Sequence, residues 1–157
     1  MILLALVLPA PASDLPVRDR FDRAAKAALE GAGPAYPLLR CAGLYRSVRL
    51  HAGRAALGPD RWRHAELMET ELARAAVELR TGPIAQAGHD AAAAARARTE
   101  DGIDAVAALY LRRYAAMIAM TGRPWSTDPM WRQDNASCNR VIAGLRAGAM
   151  APRRPAG

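Results

Sequence analysis

Apolar residues recur along this chain at helical spacing, and Gly and Pro fall between the runs. Val17, Phe21, Ala24, Ala25 and Ala28 form the first such run; Asp14 and Pro16 suit its start, and Gly31 and Gly33 stop it. Pro34 and Pro37 open a second helix that runs to about Leu57, where Gly58-Pro59 ends it. Its Leu38, Cys41, Leu44, Tyr45, Val48, Ala52 and Ala55 fall within an arc of roughly 120°, the stripe of a core-facing helix. A third helix starts near Asp60, with Met68, Leu72, Ala75, Ala76 and Leu79 on one side and Arg63, Glu66, Glu69 and Arg74 mostly elsewhere, until Thr81-Gly82-Pro83 interrupts it.

The run Ala91 to Ala95 has strong helix propensity and almost no apolar anchor, which predicts a solvent-washed or lightly packed stretch continuing into the next helix. There Ile103, Ala107, Tyr110, Tyr114, Met117, Ile118 and Thr121 share a face, and Gly122-Arg123-Pro124 ends the run. In the last helix Asp128 can cap backbone N–H groups, and Pro129 occupies the first turn, where a missing N–H is harmless. Trp131, Cys138, Val141, Ile142 and Leu145 line one side of it. Amphipathic segments joined by short breaks predict an all-α fold, an antiparallel helical bundle of four to five helices. Sparse β-branched residues and an aromatic content of 5% fit the same class.

The first residues are of a different kind. Ile2 to Leu8 is a short apolar run, and Ala10-Pro11-Ala12 has the small-x-small pattern of a signal cleavage site. The expected division is therefore a signal at 1–12, cleaved after Ala12, a bundle domain at 13–147 and a disordered, aperiodic tail at 148–157. No Lys or Arg follows Met1, so the usual basic n-region is missing; either the true start lies upstream or the signal is atypical. The apolar run is far below the ~20 residues that span a bilayer. The stretch from Ile103 to Met120 contains Asp104, Arg112 and Arg113, so no transmembrane segment is expected in the mature chain, and the compartment is periplasmic or extracellular.

Export changes how the cysteines read. Cys41 and Cys138 each sit on an apolar helix face, and in an oxidising compartment they are expected to form one disulfide between the second and last helices. The alternative is a pair of buried free thiols. The formal charge of +7 and a pI near 10.4 point to an anionic polymer, a lipid surface or an envelope protein as partner. The basic residues are almost all Arg, with Lys26 the one Lys, which GC-rich coding also produces. They are scattered and carry no interleaved aromatics for base stacking, so nucleic acid is not an expected partner.

Candidate chemistry is thin. Asp134 lies about 40° from Cys138 on the helical wheel, inside the apolar stripe of the last helix. A buried carboxylate needs donors, and Arg113, Tyr45, Tyr110 and Tyr114 are the candidates for a buried polar network; the other reading makes Asp134 the wall of an enzyme site. His64 and Met68 stand at i and i+4 and are weak candidates for a copper or haem iron, with Met117 and Met120 a further sulfur pair. No cofactor is expected, since C-x-x-C-H, H-E-x-x-H, G-x-S-x-G and a Gly-rich phosphate loop are all missing. No catalytic residue is nominated, and His89-Asp90 is merely a pair of neighbours.

Leu39, Cys41, Ala42 and Tyr45 near the front, with Thr121, Gly122, Asp128, Pro129, Asp134 and Cys138 near the end, resemble small exported bacterial helical proteins of unassigned function. The resemblance implies export and an all-helical fold, and no catalytic residue. The LTxxQ motif of basic helical envelope chaperones is missing. The functional expectation is a non-catalytic envelope protein that binds a protein partner or an anionic envelope component, with a metal- or haem-binding bundle and an enzyme built around Asp134 as alternatives.

Overall fold

A computed structural model describes residues 15–82 and 88–148 of the chain. The proposed signal at 1–12 and all of the proposed tail except Gly148 lie outside the described residues. Five α-helices follow one another: α1 (Leu15–Ala28), α2 (Tyr36–Leu57), α3 (Pro59–Thr81), α4 (His89–Thr121) and α5 (Pro129–Arg146), with 3₁₀ turns at Gly33–Ala35 and Trp125–Thr127. There is no strand among the described residues, and the fold is an all-α bundle. None of the described helices is long and apolar enough to cross a membrane.

The Gly/Pro punctuation sets the element ends. Gly58, at φ 75°, is both the C-cap of α2 and the residue before Pro59, so one glycine turns the chain from α2 into α3. Asp128 caps α5 as its sequence predicts, its carboxylate accepting from the Met130 N–H at 3.2 Å while Pro129 fills the first turn.

α2 is the helix on which α3, α4 and α5 all pack. α2 and α4 run in the same sense, since Leu39 lies beside Gly102, Gly43 beside Val106, and Ser47 Oγ is 2.9 Å from Tyr114 Oη. α3 runs back along α2, with Glu69 meeting Arg46 and Glu66 meeting Arg49, and α5 runs back along α4, with Asp134 meeting Tyr110 and Asp128 meeting Arg113. Leu38, Leu44, Leu72, Ile103, Val106 and Tyr110 fill the space between helices and are essentially inaccessible. The Cys41–Cys138 disulfide ties α2 to α5 across this core, with Cα atoms 5.4 Å apart and a sequence separation of 97.

Three expectations change on contact with the structure. Ala55 is exposed rather than part of the α2 stripe, because Gly53 takes a non-helical φ of 69° and ψ of 166°, which breaks the register. The alanine run is not solvent-washed throughout: Ala92 and Ala95 are buried, and α4 is continuous over 33 residues. Glu69 faces inward, at 5% exposure, rather than lying among the solvent-facing charges. Arg46 donates to its Oε1 at 2.8 Å and Arg49 to its Oε2 at 2.7 Å. Arg46 also reaches Glu100 and Asp104 of α4, each at 2.7 Å, so this ion network couples three helices.

Candidate functional site

The α5 stripe buries Asp134 to 2% exposure, and its carboxylate meets three donors. Arg18 of α1 donates to Oδ1 at 2.7 Å; Arg40 of α2 at 3.0 Å and the Tyr110 hydroxyl of α4 at 2.7 Å donate to Oδ2. One carboxylate thereby gathers four helices. Arg40 also contacts Asp22 of α1 at 2.7 Å, which closes the cluster. Burial, and then the negative charge of Asp134, push the Tyr110 phenol well above its ordinary range, so the hydroxyl stays a donor. Both carboxylate oxygens therefore accept hydrogen bonds, as a buried charge requires, and Asp134 sits in a buried polar network.

Of the four donors suggested for Asp134 by sequence, Tyr110 alone reaches it. Arg113 forms a two-pronged pair with the fully buried Asp128, at 2.8 and 3.0 Å, because it lies one helical turn nearer the α4–α5 connection. Tyr114 shares a hydrogen bond with Ser47, and the Tyr45 hydroxyl donates to Asn139 Oδ1 at 3.3 Å. Burial raises the Tyr114 phenol well above its usual value, opposed by the bond with Ser47. Burial also raises that of Tyr45, opposed by Arg146.

The weak metal candidates separate in depth. Met68 is in the core at 2% exposure, and its Sδ accepts from Arg146 at 3.4 Å, whereas His64 is exposed and stands edge-on to Tyr45. Met117 is buried and Met120 is 69% exposed, so that pair divides in the same way. The described residues hold no group of three or more His, Cys, Asp and Glu side chains that could hold a metal ion. His89 and Asp90 are exposed neighbours 3.5 Å apart.

What sequence reasoning missed is a groove of about 530 Å³ where α2, the start of α3, the Trp125–Thr127 turn and α5 meet. Leu44, Val48 and Ala65 contribute apolar surface, and Tyr45, His64, Trp125 and Trp131 are its aromatic members. Arg61, Asn135 and Asn139 supply polar groups, and none of the described lining residues is Asp or Glu. The aromatic wall is braced from behind. Trp125 and Trp131 meet edge to face at 4.9 Å, Trp125 packs on Tyr114 at 5.1 Å, and Tyr114 continues to Tyr110 and Phe21. Arg61 spends its Nε on the Leu57 carbonyl and has no ion pair among the described residues. The only sequence sign of this groove was that Trp125 and Trp131 are close in the chain; it also draws on Leu44, Tyr45, Val48 and Ala52, which periodicity assigns to the core.

Fold and site together define a disulfide-clamped helical bundle with an aromatic groove whose described lining residues include no Asp or Glu. No protein-family model, curated protein or solved structure matches the chain.

Proposed function

We propose that this chain is an exported, non-catalytic binding protein whose aromatic groove holds a small ligand with an apolar or aromatic body and an anionic end. The observation that carries the reading is the composition of the groove. Its volume of about 530 Å³ suits a small molecule, its walls are apolar and aromatic, and it includes the charged side chain of Arg61 with no carboxylate among the described lining residues. Braced walls favour binding, since little side-chain freedom is lost when a ligand enters. Export is supported by the N-terminal sequence pattern and the Cys41–Cys138 disulfide. The anionic end of the ligand fits the surplus of Arg across the chain.

The test compares two fluorescent probes with the same aromatic body, anilinonaphthalene sulfonate and the uncharged phenylnaphthylamine. The sulfonate is expected to bind one saturable site, and more tightly than the neutral probe. Trp131→Ala weakens both probes, whereas Arg61→Gln weakens the sulfonate alone. Equal affinity for the two probes, or binding that neither variant alters, overturns the reading.

A further inference from the structure

A second groove, of about 730 Å³, opens where the α1–α2 turn meets the end of α3 and the middle of α4. Arg80 of α3, Arg98 of α4 and the turn Gly31–Gly33 all line it. Most buried or half-buried arginines of this protein are matched to carboxylates, as Arg40, Arg46 and Arg49 are. Half-buried Arg80 is not, nor is the exposed Arg98 beside it: neither has an ion pair among the described residues, and Arg80 makes a 3.3 Å hydrogen bond to the buried Thr99. Burial and the neighbouring charge of Arg98 both act against the Arg80 charge, so an incoming anion would relieve an existing repulsion.

The backbone of the turn that lines the same groove contributes independently. Along the turn φ alternates in sign, 74° at Gly31, −67° at Ala32 and 54° at Gly33. Such alternation gathers successive N–H groups into a concavity that accepts anions. The Ala32 N–H is spent on the Leu29 carbonyl at 3.0 Å, while those of Gly31 and Gly33 meet no acceptor among the described residues. Glu30 and Asp101 border the same groove and would repel a string of phosphates, which restricts the occupant to one compact group.

We propose that this groove is a second binding site, one for a single phosphate group held by Arg80, Arg98 and the amides of Gly31 and Gly33. A free phosphate and the headgroup of an acidic phospholipid present the same chemistry, and the test separates them. Inorganic phosphate is titrated at constant ionic strength into nitrogen-15-labelled, oxidised protein. In a parallel arm, vesicles of phosphatidylcholine with and without phosphatidic acid are pelleted with the protein. The expected result is saturable movement of the Gly31 and Gly33 amide signals, with affinity falling about tenfold in Arg98→Gln, as for loss of a hydrogen bond to a charged group. Arg80→Gln/Arg98→Gln should abolish it. Co-sedimentation that needs phosphatidic acid and is lost in the double variant assigns the site to a lipid headgroup; phosphate binding without co-sedimentation assigns it to a free phosphate. Because Arg98 is exposed, Arg98→Gln should keep the native melting temperature. Overturning results are shifts that never saturate, shifts spread over the arginine-rich surface, or unchanged phosphate affinity in a folded Arg98→Gln protein.

Discussion

Replacing Asp134 tests whether one carboxylate organises the bundle. The side chain is 2% exposed and binds Arg18, Arg40 and Tyr110. Breaking a buried ion pair from one side costs about 3–5 kcal/mol, because the surviving charge stays buried. Two features place Asp134→Ala near the lower end. Arg40 keeps Asp22 at 2.7 Å, and Arg18, whose side chain is 24% exposed, keeps Gln133 at 2.8 Å. The expectation is therefore about 3 kcal/mol for Ala, and about 2 kcal/mol for Asn, which retains one oxygen for Tyr110 or Arg40. Against a domain stability of about 5–15 kcal/mol these are large losses. Urea unfolding of the oxidised protein, followed by circular dichroism, should show the midpoint of Asp134→Ala falling by about 1–2 M. A triple variant, Asp134→Leu with Arg40→Met and Tyr110→Phe, removes the stranded partners along with the carboxylate and should recover most of the loss. The reasoning is refuted if Asp134→Ala lies within about 0.5 kcal/mol of the parent, the range of ordinary surface changes, or if the triple variant is no more stable than the single one.

Further outcomes follow from the same packing. Reduction and alkylation of Cys41 and Cys138, which close a loop of 97 positions, should destabilise the protein by ~2–4 kcal/mol, read as a lower denaturant midpoint. Gly43→Ala would place a Cβ 2.6 Å from Val106 Cγ1 and 3.1 Å from the Ala107 backbone nitrogen, so it should cost about 1–3 kcal/mol, with partial rescue by Val106→Ala. Three of the four tyrosines, Tyr45, Tyr110 and Tyr114, have phenols raised above the ordinary value of 10.0. Their neutral form is favoured in the fold, so this contribution to stability is complete below pH 10 and declines as pH rises beyond it, by up to ~1.4 kcal/mol per pH unit per tyrosine. An ultraviolet titration should show these three ionising at higher pH in native than in denatured protein; equal native and denatured curves would contradict the burial argument.

Much of this fold was legible because its breaks are chemical. Gly58-Pro59, Gly122-Arg123-Pro124 and Asp128-Pro129 mark helix ends whatever surrounds them, and Cys41 and Cys138 sit on the stripes that face each other. Burial of Asp134 was legible for the same reason, since its wheel position follows from Cys138. Its partners were not. Arg18 and Arg40 arrive from α1 and α2, and among so many arginines the sequence offers no rule for which one reaches a given carboxylate. Arg113 was the nearer choice by helix order, yet Asp128 claims it. Glu69 misled because a wheel ranks it by polarity, whereas Arg46 and Arg49 make its inward position tolerable. The grooves were illegible because each depends on the distance between helices, and helical periodicity carries no information about that distance.

The central claim, that the groove between α2, α3 and α5 is a binding site, is tested most directly by following side-chain N–H signals while anilinonaphthalene sulfonate is added. Trp125, Trp131, Asn135 and Asn139 line the groove, while Trp62 lies beneath Arg49 outside it and serves as an internal control. The account predicts that the four groove signals move together along one saturable curve while the Trp62 indole stays in place. Movement of Trp62 to the same extent, or drift of all signals without saturation, would contradict it.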